Sequence, residues 1–203
     1  MRIFDQLNIP TDELLDYEEY FGDMDLSDKE KEKRIALARQ FEVLFLYFFL
    51  LYSEQKSVDF VQMIQEKYIS IAMEFLSLKS VPAYIEGYAR KLSEEIVRVT
   101  IEHDGEEFYT STERGMLISA NEANTLGNYG QQLQAIKDGK LYKTWVTEKD
   151  KRVRHTHRAV DEKKISIFEP FEVGNSLMMF AKDSSLGADM KEIAGCRCVV
   201  KYS

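Results

Sequence analysis

The sequence is poor in residues that interrupt secondary structure or cross-link a chain. Its 203 residues include three Pro, ten Gly, two Cys and one Trp. So little Pro and Gly leaves little room for a long flexible linker or a low-complexity region, and we find no internal repeat. The apolar fraction of 44% is ordinary, and the length suits one sizeable domain or two small ones.

Signals for export and for crossing a membrane are also missing. Residues 1–6 turn acidic before any apolar run begins, so we do not expect a signal peptide. The most apolar stretch, residues 41–52, is interrupted by Glu42 and is shorter than the roughly 20 residues that a spanning helix needs. We therefore predict no membrane span. Two Cys without an export signal indicate a reducing compartment, and the spacing of Cys196 and Cys198 would strain a disulfide.

The chain lacks an overall positive charge. Its net charge of −8 argues against indiscriminate nucleic-acid binding by the whole molecule. The charge is uneven, however. Residues 140–203 contain 13 Lys/Arg and 9 Asp/Glu, a net charge of +4, whereas residues 1–139 contain 14 and 26, a net charge of −12. This distribution suits a protein whose halves face different partners, and two solvated surfaces explain it at least as well.

Hydrophobic periodicity predicts a mostly helical N-terminal part. A capping box at residues 27–30 predicts a helix over about 28–54. Apolar residues at intervals of three and four predict a helix on each side of Pro82 and another over about 111–137. Residues 1–25 are acidic and only weakly periodic, which is typical of an arm with at most one short helix.

Large aromatic residues crowd the end of the first long helix. Phe45, Phe48, Phe49 and Tyr52 cannot all point to one side of a helix, so they are candidates for docking a partner or a second copy of the chain. Burial in the core is an equally good explanation.

Short strands are expected in the last third of the chain. β-type patterns predict strands within residues 141–147, 165–168 and 198–202. We therefore predict an α+β fold, with a mostly helical N-terminal part followed by a small α+β C-terminal domain with short strands. The predicted division is a helical region for docking or oligomerisation over 1–110 and a second domain over 111–203.

Most chemically distinctive side chains lie in this last third, in an ordered motif. The motif comprises Trp145, Thr147, Asp150, Arg152, Arg154, His157, Asp161, Gly174, Asp183 and the tripeptide Cys196-Arg197-Cys198. Together with the upstream pair Asn121-Glu122, it resembles the phage Mu F-like head morphogenesis (minor head protein) family over residues 112–200.

The resemblance implies a structural, non-enzymatic protein of phage or prophage origin. Such proteins enter the procapsid in few copies near the portal and have roles in head morphogenesis and in DNA packaging or delivery. The expected partners are therefore the portal and the capsid or scaffold proteins, with packaged DNA facing the basic C-terminal part. The expected location is the bacterial host cytoplasm during assembly and the interior of the virion head afterwards.

The chemistry of the motif has more than one interpretation. We favour a buried polar network, in which the rigid guanidinium of Arg154 binds carboxylates above the apolar face of Trp145. On that interpretation the protein needs no cofactor.

A structural zinc site is the second interpretation. His155, His157, Cys196 and Cys198 supply the four nitrogen and sulfur ligands of a tetrahedral site, and His157 with both Cys is an alternative set. Each pair converges only on a strand, because residues i and i+2 of a helix diverge by about 200°.

The third interpretation is a nuclease or toxin-type enzyme. Arg154, His157 and Asp161 would then form an acid/base set for phosphodiester cleavage. A phosphate-binding Gly loop and a Ser or Cys nucleophile motif are both missing from the sequence, which favours the structural interpretation.

Overall fold

The computed structural model describes residues 15–203, so most of the predicted N-terminal arm lies outside the described residues. Five α-helices come first in the described part of the chain. The first is short and the other four are long, and a 3₁₀ helix precedes the last of them. They are α1 (Tyr17–Gly22), α2 (Asp28–Ser53), α3 (Phe60–Leu76), α4 (Ala83–Glu102), the 3₁₀ helix (Glu107–Thr110) and α5 (Thr112–Lys137). The four long helices agree with the sequence prediction to within a few residues.

Short polar side chains begin most of these helices. Ser27 accepts a hydrogen bond from the amide of Glu30 at 3.4 Å, as the capping box predicts. Asp59 caps α3 and Ser111 caps α5 in the same way. Pro82 precedes α4 and supplies no side-chain cap.

Helix α2 forms the centre of the helical part, packing against α5 and α3. Phe45, Phe48 and Phe49 are at most 2% exposed, so the expectation that they form a docking surface is wrong for the folded chain. The ring of Phe48 packs on Phe60 of α3 at 5.2 Å between centroids, which explains its burial. Tyr52 is half-buried and donates a hydrogen bond to Asp104 at 2.9 Å.

Within the described residues, α2 is the helix that is long and apolar enough to cross a membrane. This is weak evidence for a span, because the core helix of a globular domain has the same length and composition. Nine of its residues are buried inside the fold. The absence of a membrane span therefore stays a prediction.

The C-terminal part contains two small antiparallel sheets and two short helices. Its elements are β1 (Tyr142–Val146), α6 (His155–Arg158), β2 (Lys164–Ser166), β3 (Phe171–Val173), β4 (Ser176–Met178), α7 (Met190–Ile193) and β5 (Val199–Tyr202). β1 is the central strand of the first sheet, in the order β2-β1-β5. Its register pairs Trp145 with Val200 and Thr144 with both Lys201 and Lys164. β3 and β4 form a separate hairpin.

One contiguous hydrophobic core joins the helical part to the C-terminal part. Its buried members run from Tyr17 and Phe21 of α1 to Trp145 of β1 and Val200 of β5. The fold is therefore α+β, as predicted. The domain boundary at residue 110 stays a prediction.

Candidate functional site

The cysteine-containing segment turns from α7 into β5. Gly195 has φ of +63°, a left-handed conformation that favours glycine, and residues 196–198 then lead without regular secondary structure into β5. Cys196 and Cys198 are both buried and both reduced. Arg197, between them, forms an ion pair with Asp150 that holds the pKa of the Asp150 carboxyl below its usual range. The two thiols therefore face the interior while the intervening side chain meets another loop.

His157 lies beside both sulfur atoms. Its Nδ1 is 3.3 Å from Sγ of Cys198 and 3.5 Å from Sγ of Cys196. Its Nε2 is 3.1 Å from Oε2 of Glu192, which also accepts a hydrogen bond from the Thr156 hydroxyl at 2.8 Å. His157 is 1% exposed, and both of its ring nitrogens have partners. This histidine is held in one orientation by the carboxylate on one side and the thiols on the other.

The glycine of the β3–β4 turn makes room for this arrangement. Gly174 has φ of +60°, and a Cβ there would lie 2.9 Å from Cγ2 of Thr156 and 3.1 Å from Oε1 of Glu192. Both contacts are closer than ordinary packing. The turn can therefore cover the His157–Glu192 pair only with glycine at this position.

The two cysteines also interact with each other. The amide of Cys198 donates to Sγ of Cys196 at 3.4 Å. The hydrogen bond between the two side chains lowers the pKa of Cys196 and raises the pKa of Cys198.

A buried guanidinium holds the cysteine segment from the helical side. Arg34 of α2 donates to Oδ1 of Asn124 at 3.2 Å and to Oδ1 of Asn128 at 3.1 Å. The amide nitrogens of these two asparagines donate to the carbonyls of Cys196, at 3.2 Å, and Cys198, at 3.3 Å. Because the guanidinium fixes which way each amide group points, α2 determines the position of the cysteine backbone.

A second polar group, formed by the buried Lys182 and Glu122 together with Asn121, lies beside the cysteine segment. Lys182 donates to Oδ1 of Asn121, which also accepts from the amide of Gly195 at 3.1 Å. Asn121 donates to Glu122 at 2.9 Å, and burial raises the pKa of Glu122. Burial lowers the pKa of Lys182 to about 8, an effect that the Glu122 charge opposes.

The remaining motif residues have structural partners of their own. Asp161 accepts a hydrogen bond from the amide of Thr147 at 2.9 Å, and Arg154 donates to the carbonyl of Ala194 at 2.5 Å. Asp183 accepts from the amides of Met179 and Ser185, each at 2.8 Å. Arg152 is largely exposed, and its amide donates to Asp150 at 2.9 Å. Trp145 is fully buried, with its ring edge-on to His157 at 5.7 Å.

A pocket of about 430 Å³ opens beside the cysteines. Its lining includes His157, both cysteines, Glu148 and Arg154. Burial raises the pKa of Glu148 to about 7, and its Oε1 has no hydrogen-bond partner among residues 15–203. The cysteine–histidine cluster is thus buried but lies next to a space that small molecules can enter.

The structure settles which predicted metal ligands come together. His157, Cys196 and Cys198 place one ligand atom each within 4.8 Å of one another. His155 is exposed and lies outside this cluster, so the four-ligand set is wrong. The reason is local: both histidines lie on the helix α6, where residues i and i+2 point in different directions.

The sequence interpretation missed several residues of the site. Arg34, Asn128 and Glu192 carried no local signal, because charged and amide side chains usually face solvent. Asn121 and Glu122 were marked only by the family resemblance. A clue was available in Gly127, whose position opposite Arg34 lets the guanidinium approach the α5 backbone.

Comparisons with known proteins agree with the motif. A family model described as Phage Mu protein F like protein matches residues 84–201, more than half of the chain. The match begins at the start of α4, so it includes a helix that the motif did not reach. No curated protein and no solved structure matches the chain.

Proposed function

The chain belongs to the phage Mu protein F like family, a family of phage head morphogenesis proteins, and from this premise we propose that it is a minor structural component of the phage head. In this proposal the protein is made in the bacterial host cytoplasm, joins capsid or scaffold proteins during assembly and remains inside the virion head. It associates with the portal and has a role in DNA packaging or delivery.

The hydrogen bonds of His157 are the observation that supports a structural role. A general acid or base needs a ring nitrogen free to exchange a proton with its substrate, whereas both ring nitrogens of His157 are bonded within the chain. Arg154 and Asp161, the other members of the enzyme hypothesis, each bond to a different backbone group. The motif residues thus bond mainly to other parts of the same chain, as expected for a fold-stabilising network.

A nuclease assay tests the absence of enzymatic activity. Purified protein is incubated with single- and double-stranded DNA and with RNA, with and without divalent cations. We expect no cleavage above that of the buffer. The matched variants are His157→Ala and His155→Ala, which alter a buried and an exposed histidine two residues apart. Cleavage that is lost in the first variant and kept in the second would show that the protein is an enzyme.

Co-expression tests the association with the portal. The chain is expressed with the portal protein encoded by the same phage or prophage, and we expect the two to co-purify through size exclusion. Three apolar side chains on the surface allow the contact to be located by Asp substitution without disturbing the core: Tyr47, Leu141 and Phe168 are 50%, 63% and 69% exposed. Folded wild-type protein that elutes entirely apart from the portal would contradict this part of the proposal.

The basic C-terminal part supports contact with DNA. Lys151, Arg158 and Lys163 are among its exposed cations. We expect weak binding that is independent of base sequence and decreases steeply with salt, because released counterions drive such binding. Fluorescence anisotropy with a labelled duplex measures it. Charge reversal at Lys163 should weaken binding more than the same change at Lys33, an exposed lysine of α2; equal effects would argue against this surface.

A further inference from the structure

We propose that His157, Cys196 and Cys198 bind one Zn²⁺ ion, with the fourth coordination position occupied by water from the adjoining pocket. This inference rests on the geometry of the cluster and is independent of the head-protein proposal. It assigns a metal ion to three side chains whose donor atoms, within residues 15–203, lie close enough together to hold one.

The distances from the histidine nitrogen to the two sulfur atoms fit a tetrahedral zinc ion. Zn–S bonds of about 2.3 Å and a Zn–N bond of about 2.0–2.1 Å place sulfur and nitrogen about 3.6 Å apart at the tetrahedral angle. Nδ1 of His157 lies 3.3 Å and 3.5 Å from the two sulfur atoms. These two distances therefore differ from the zinc geometry by a few tenths of an ångström, and all three donor atoms lie within 4.8 Å of one another. Two thiolates and an imidazole form a donor set that binds zinc in preference to magnesium or calcium.

The second layer of contacts prepares His157 to act as a ligand. Because Glu192 is a carboxylate, the ring proton belongs on Nε2, where it bonds to Oε2 at 3.1 Å. Nδ1 then carries a lone pair directed at the sulfur atoms. A carboxylate behind a metal-bound histidine is a recurrent arrangement that fixes the ring and increases its basicity.

The sulfur atoms are held in place as well. The amide of Cys198 donates to Sγ of Cys196, a contact that stabilises a thiolate. The backbone of both cysteines is fixed through Asn124 and Asn128. Since Arg34 orients both asparagines, little reorganisation is needed when the ion binds.

The pocket supplies access and the fourth ligand. The three donors are each at most 4% exposed, yet all three line the pocket of about 430 Å³. A zinc site with three protein ligands keeps one position for water, and the pocket side is where solvent reaches the cluster.

Elemental analysis provides the test. The full chain is expressed without a polyhistidine tag, saturated with zinc, dialysed and analysed by mass spectrometry for metals. We expect about one zinc ion per chain, the stoichiometry of a single site. His155→Ala is the matched control and should retain the metal, whereas His157→Ala should lose it. Glu192→Gln should weaken zinc affinity by about 10- to 100-fold, the usual effect of removing such a supporting contact.

Cobalt substitution keeps the test valid if a variant fails to fold. Wild-type protein loaded with Co²⁺ should show a thiolate-to-cobalt charge-transfer band in the near ultraviolet and the visible bands of tetrahedral cobalt. Folded wild-type protein that takes up neither metal after reduction would overturn the proposal and would mean that the cluster is a hydrogen-bonded thiol–imidazole network. Full zinc occupancy in a folded His157→Ala variant would overturn it equally.

Discussion

Replacing one glycine of α5 by alanine should destabilise this protein, although the same change elsewhere should stabilise it. Gly127→Ala would place a Cβ 2.7 Å from both Cζ and Nε of Arg34. The guanidinium is buried and bonded to Asn124 and Asn128, so it cannot move without breaking those bonds. Gly87, inside α4, has nothing within 4 Å of its Cβ position and serves as the matched control.

The expected magnitudes follow from these contacts. In an unobstructed helix, Gly→Ala raises the free energy of unfolding by about 0.5–1 kcal/mol, and Gly87→Ala should do so. At Gly127, each asparagine oxygen left without a partner costs about 1–3 kcal/mol. After the gain in helix propensity is subtracted, we expect a net loss of about 2–4 kcal/mol. For a chain of this size, the loss corresponds to a decrease in Tm of roughly 5–15 °C.

Circular dichroism during heating and in urea measures both variants. The two positions should also be coupled. In an Arg34→Met background the rigid guanidinium is absent, so Gly127→Ala should cost less by at least about 1 kcal/mol, the order of one broken hydrogen bond. A Gly127→Ala protein as stable as wild type would refute the account of how α2 holds the cysteine segment.

Three further substitutions probe the same core. Arg34→Lys should lower the free energy of unfolding by about 2–3 kcal/mol in urea titrations, because an ammonium cannot bond both asparagines in the geometry of the guanidinium; an unchanged midpoint would contradict the proposed network. Phe45→Ala should cost about 3–5 kcal/mol, as for other buried phenylalanines, while Tyr47→Ala, half exposed on the same helix, should change stability by less than about 0.5 kcal/mol. Equal effects would place Phe45 outside the core. Burial lowers the pKa of Lys143 from 10.5 to about 8, so the unfolded chain binds more protons between these values and stability rises with pH across that window. Lys143→Met should remove roughly 1–2 kcal/mol of that rise between pH 8 and 10, and an identical pH profile in the variant would show that Lys143 does not titrate as described.

The long helices could be predicted from the sequence because their signals are local. Ser27 and Pro82 mark helix starts, and apolar residues repeat at the helical period between them. The β3–β4 hairpin was not predicted, since strands of three residues are too short to show a pattern. The burial of Phe45 and its neighbours could not be decided either. A helix that is apolar nearly all round gives the same pattern in a core as at an interface.

The site was predictable in composition but only partly in geometry. The spacing of Cys196 and Cys198 indicates that both side chains share one side of the chain, and in the fold both are buried. Which histidine joins them depends on α6, a helix of four residues without a side-chain cap at its start. The supporting residues Arg34 and Glu192 reach the cluster from distant parts of the chain. No local pattern encodes such contacts, because they arise only when α2 packs on α5 and α7 meets α6.

The composition of the assembled phage particle tests the central claim, that this chain is a structural part of the head. Particles are induced from the strain that carries the gene, purified, treated with protease to remove exposed proteins, and opened for quantitative mass spectrometry. We predict that the chain is recovered in few copies per particle and survives the protease treatment. Its absence from purified heads, with the protein confined to the cell lysate, would contradict the claim.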